Sequence, residues 1–104
     1  MSAKVTGLSV TPATGSDVRL TTDTTIRARA IYLTTKDGET AVCLVKDGNG
    51  GTAIGQAAPG GGSFTIGLSV FSAQEGEWLK PSDYWIRMTT GSTLYCSYEA
   101  VSTP

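Results

Sequence analysis

The chain has 104 residues, 39% hydrophobic and 16% charged, with a net charge of −1. That suits one domain (residues 1–104) around one core, and it leaves no basic stripe to hold nucleic acid. The absence of histidine removes the commonest general base, the commonest zinc ligand and the Ser-His and Cys-His pairs together.

No apolar run reaches the about 18 residues of a membrane helix, so no membrane partner is expected. The opening MSAKVTGLSV lacks the apolar core of a signal peptide and reads as a cytosolic start. In that reducing setting Cys43 and Cys96 are expected to be free buried thiols; a bridge between two sheets is the alternative.

The first predicted strand is Lys4 to Thr11, where Gly7 suggests a bulge or a close backbone approach. The second is Thr24 to Thr35. Strict alternation puts Ile26, Ala28, Ala30 and Tyr32 on one face and Arg27, Arg29, Ile31 and Leu33 on the other. Asp37-Gly38 after it reads as a hairpin turn. The third strand, Ala41 to Lys46, is apolar on both faces and is expected at the centre of a sheet. Thr52 to Gln56 is a short return strand, and the glycines after Pro59 read as a flexible break. Ser63 to Phe71 alternates cleanly, with Phe64, Ile66, Leu68 and Val70 on one side. A polar connection with Trp78 leads to Asp83–Thr89, and Thr93–Val101 closes the chain. Six to eight short strands without a convincing helix predict an all-β fold: a single antiparallel β-sandwich, immunoglobulin-like or jelly-roll-like. Against a true immunoglobulin domain, Leu94 and not Tyr precedes Cys96 by two residues.

The stretch AVCLVKDGNGGTAI poses the main chemical question. A phosphate loop needs Lys-Ser/Thr after its glycines and then a helix. Here Lys46 precedes them and weak strand residues follow, so DGNGG reads as a hairpin turn. Asp47 and Asn49 are too few oxygen ligands for a calcium loop. Glu75 and Glu77 could share a strand face at about 6–7 Å, but they read as a solvated loop and not as a glycosidase pair. No catalytic, cofactor or metal residues are expected.

Trp78, Trp85, Tyr32, Tyr84, Tyr95 and Tyr98 suit a core, a subunit interface or a sugar-stacking platform. Neighbours Tyr84 and Trp85 point to opposite faces, so one is expected to meet solvent or a partner. Arg27 and Arg29 read either as a solvated, guarded strand end or as partners for acids on another subunit. Trp78, Trp85, Arg27 and Arg29 are thus the candidate interface residues.

The run from Arg27 to Val101 resembles small virion proteins of tailed bacteriophages. The features are RARAIYLTT, then AVCLVKDGNGGTAI, an apolar strand after a Gly-rich break, and LKPSDYWIRMTTGSTLYCSYEA. The resemblance implies a β-sandwich that decorates capsids or sits in tails and fibres, made in the host cytoplasm and oligomeric. It implies the major capsid protein or another virion protein as partner, and it carries no catalytic residues. The short length favours a capsid decoration, or cement, subunit. A tail or fibre component and a secreted carbohydrate-binding module are the alternatives.

Overall fold

A computed structural model describes residues 4–10, 15–67, 78–89 and 93–100. Eight strands follow one another: β1 (Lys4–Val10), β2 (Val18–Arg19), β3 (Ala28–Thr35), β4 (Cys43–Lys46), β5 (Ala53–Ala57), β6 (Ser63–Gly67), β7 (Trp85–Met88) and β8 (Leu94–Ala100). They form two four-stranded sheets, ordered β1-β8-β3-β6 and β2-β7-β4-β5. Every pairing is antiparallel.

The order has a simple origin. β4 pairs β5, β3 pairs β6, β2 pairs β7 and β1 pairs β8, as in one long hairpin with its tip at DGNGG. Rolling that ribbon over brings β3 against β8 and β4 against β7, and two sheets result. This is the double Greek key of a jelly roll. An immunoglobulin fold would set the first strand beside the second of its own sheet, whereas here the first strand pairs the last.

Among the described residues, only β4 and β5 make a same-sheet hairpin. The Asp37-Gly38 turn, expected to close another, instead carries the chain from one sheet to the other, with Gly38 at φ 82°. Turn chemistry specifies a reversal but not the sheet that receives the next strand.

The core lies between the sheets. Ile31, Leu33, Leu94 and Cys96 come from one side, and Cys43, Val45, Ile86 and Met88 from the other. Their alternation with half-buried or exposed neighbours is the period-two pattern of strands covered on one face. β4 is central, between β7 and β5, as its apolar faces imply. Both cysteines are free and buried. Burial pushes the Cys43 thiol up to about 11, and burial together with the neighbouring Cys43 pushes Cys96 to about 12.

β3 departs from the expected alternation. The register slips between Ala28, opposite Ala100, and Ala30, opposite Glu99. This bulge puts Ala28 in the core with Ile31, Leu33 and Thr35, and leaves Arg29 exposed. Ala28 and Ala30 therefore do not share a face. The strand begins at Ala28, so Arg27 lies ahead of it.

The Pro59–Gly62 segment is held rather than loose. The buried Thr35 hydroxyl donates to the Ala58 carbonyl at 2.7 Å and accepts from the Gly61 N–H at 3.2 Å. Gly60 and Gly61 take positive φ, which only glycine adopts without strain. The predicted strand extension beyond Gly67, with Leu68 and Val70, and the acids Glu75 and Glu77 lie outside the described residues.

Candidate interaction surface

Each sheet has an outer face, and the two differ in chemistry. On the β2-β7-β4-β5 sheet, register places Arg19, Trp85 and Lys46 in one cross-strand row and Arg87, Leu44 and Gln56 in the next. None of its strands contains Asp or Glu. Lys46 and Arg87 stand diagonally on neighbouring strands, a like-charge arrangement that is unfavourable unless countered.

Asp17 counters it. Its carboxylate Oδ1 accepts from Arg87 Nε at 2.8 Å and from Lys46 Nζ at 3.1 Å. Oδ2 accepts from the Gly50 N–H in the β4–β5 turn. One side chain just ahead of β2 thus joins β7, β4 and the hairpin tip. Its exposure is 2%, so it adds almost no negative surface. The Gly50 N–H, Lys46 and Arg87 hold its carboxyl below the usual carboxylate range, although burial opposes them. The glycine-rich tip is an ordinary turn that also donates to Asp17. Asp47 closes it by accepting from the Thr52 N–H at 3.0 Å, which occupies an oxygen a cation would need.

Trp85 is half-buried on this face. The Arg19 guanidinium carbon lies 6.0 Å from its ring centroid, at the outer range of a cation–π contact. Arg19 Nε also donates to the Ser82 carbonyl at 2.6 Å, in the 3₁₀ turn Pro81–Asp83. That turn packs Pro81 and Ser82 inside and fixes the arginine over the ring. Three cations against one buried carboxylate leave this face at +2, while the whole chain is at −1.

The outer face of the β1-β8-β3-β6 sheet is neutral. One row reads Gly7, Ser97, Tyr32, Thr65; by register the adjoining rows are Ser9, Tyr95, Thr34 and Ser63, and Val5, Glu99, Ala30 and Gly67. Tyr95 is 55% exposed. The Tyr32 hydroxyl donates to Glu99 Oε2 at 3.3 Å, and Arg29 lies 3.9 Å from Oε1, a loose, exposed ion pair of little energetic weight.

The four residues singled out from sequence therefore do not form one surface. Trp85 belongs to the cationic face. Trp78, 38% exposed, precedes Leu79, whose N–H and C=O both bond Ala28. That bridge draws Trp78 to the start of β3, where Arg27 and Arg29 flank Ala28. Arg27 is committed locally, donating to the Thr24 and Ile26 carbonyls. Tyr84 and Tyr98 pack against the core. Asp17 and Arg19 carried no usable signal in sequence, because β2 has only two residues and shows no period. Among the described residues, no three His, Cys, Asp or Glu side chains come together as a metal site, and no helix is long and apolar enough to cross a membrane. No family model matches the chain, and no curated protein or solved structure matches it either.

Proposed function

We propose that the chain is a non-enzymatic structural virion protein, a capsid decoration subunit that binds a bacteriophage head and assembles as a homo-oligomer. The observation that carries this reading is the prepared cationic face. Trp and Arg dominate the energetics of protein interfaces. Here Arg19 is fixed over Trp85, with Leu44 beside them and Arg87 40% exposed. The sign of the face calls for an acidic patch on the major capsid protein. Viral shells and lectins both use jelly rolls. That parallel is one of fold alone, and the weight rests on the face.

The test is co-sedimentation with undecorated heads assembled from the major capsid protein. The expected result is saturable binding at many sites, weakened as salt rises from about 0.1 to 1 M and lost in the Arg19→Glu, Trp85→Ala double variant. Binding confined to isolated tails would transfer the protein to the tail or fibre alternative. No binding to heads or tails would remove the virion reading. Light scattering after size exclusion, with and without heads, reads the oligomer directly.

A further inference from the structure

We infer that the outer face of the β1-β8-β3-β6 sheet is a binding site for a neutral saccharide. Two strand glycines point there first. Gly7 in β1 and Gly67 in β6 have no positive φ, and a Cβ at either would meet no atom within 4 Å. Among the described residues, neither turn geometry nor packing asks for glycine at these positions. Glycine in a strand weakens it and often marks a bulge, a bend or a close approach to the backbone; the β1 register runs through Gly7 without a bulge, and Gly67 ends β6. Both lie on the outer face, Gly7 in the Tyr32 row and Gly67 opposite Ala30 in the next.

The side chains between them fit one ligand chemistry. Tyr95 stands opposite Thr34 and Tyr32 opposite Ser97, so the two tyrosines are diagonal neighbours on adjacent strands, within reach of one extended ligand. Their rings offer apolar faces with polar tips, which match the alternating C–H faces and hydroxyls of a sugar ring. Thr34, Ser63, Thr65 and Ser97 add hydroxyls that donate and accept. Glu99, which accepts from the Tyr32 hydroxyl, supplies an acceptor, and the opposite charges of Arg29 and Glu99 cancel on this face. Val5 on β1 is the register partner of Glu99 and ends that row; the other rows hold small, hydroxyl or tyrosine residues. Tyrosine rings, hydroxyls and the lack of net charge together match a neutral, hydroxyl-rich chain.

This inference goes beyond the virion reading and does not depend on it. The test is affinity electrophoresis of the full chain through gels holding dextran, mannan or galactan, with alginate and heparin as acidic controls, alongside an array of neutral oligosaccharides. The expected result is retardation by at least one neutral glycan, weakened at least tenfold in Tyr95→Ala, in Gly7→Thr and in Gly67→Thr. The thermal midpoints of the two glycine variants should stay at or above the parent's, which separates a blocked face from a damaged fold. Absence of binding to every neutral glycan overturns the inference, as does binding undiminished in all three variants. So does a dimer that dissociates in Tyr95→Ala, since the face would then hold a second copy of the chain. Head binding is expected to survive in Tyr95→Ala, so this face and the cationic face fail or succeed separately.

Discussion

The two sheets bury comparable apolar rows against each other and present unlike surfaces outward. The β2-β7-β4-β5 face concentrates Arg19, Lys46, Arg87 and Trp85 around a hidden Asp17. The β1-β8-β3-β6 face carries tyrosines, hydroxyls and glycines with no net charge. The difference shows what a strand pattern leaves free. Inward positions are fixed by the need to fill one core, whereas outward positions tolerate any polar residue that does not weaken pairing. Their chemistry is therefore free to differ between the two sheets.

Substitution inside the core should abolish the distinction. Ile86 is fully buried directly beside Trp85 in sequence. Ile86→Ala is expected to cost about 2–5 kcal/mol and to weaken both faces together in denaturant and binding measurements. Gly55→Ala comes next. A Cβ there would overlap the Phe64 ring, which crosses from β6 onto β5, and the expected cost is about 1–3 kcal/mol by the same denaturant assay.

Asp17→Asn should act on the cationic face alone. The Asp17 carboxyl is held below its usual 3.8, so its contribution to stability is present above that pH and is lost as pH falls below it. The Asn variant should be less stable at neutral pH, with a shallower fall in thermal midpoint between pH 5 and 2. An unchanged acid limb would mean that the Gly50, Lys46 and Arg87 contacts to Asp17 carry no linkage.

The smallest effect has the opposite sign. Gly7→Ala and Gly67→Ala should each raise stability by roughly 0.5–1 kcal/mol, because the added methyl meets open space in a strand. With Gly55→Ala, these changes ask one residue type to behave in opposite ways on the inner and outer sides of the sandwich.

Much of this fold was legible in the sequence. The alternation of Cys43 and Val45 with Leu44, and the DGNGG hairpin, appear in the structure as read. Three features were not legible, each for a physical reason. The Ala28–Ala30 bulge is an extra residue that no periodic pattern announces, and it shifts every side-chain assignment before it. β2 is too short to show a period, which hid Arg19 and the Asp17 beside it. The Asp37-Gly38 turn encodes a reversal but not its destination sheet. The interface candidates were scattered for a related reason. Arg27, Arg29 and Trp78 meet only through the Ala28–Leu79 bridge, a pairing 51 residues apart along the chain, while Trp85 lies in the other sheet.

The single rolled hairpin also constrains how the chain reaches its native state. Lys4 pairs Ala100, so closing β1 on β8 from an open chain means joining points 96 residues apart. If the tip forms first, each later rung is brought near by the one before it: β3 with β6, then β2 with β7, and β1 with β8 last. The entropic cost of closure is then met in short steps. On that route Gly50, held at φ 69° in the tip, belongs to the step that comes first. Its replacement by a β-branched residue should slow refolding much more than it speeds unfolding.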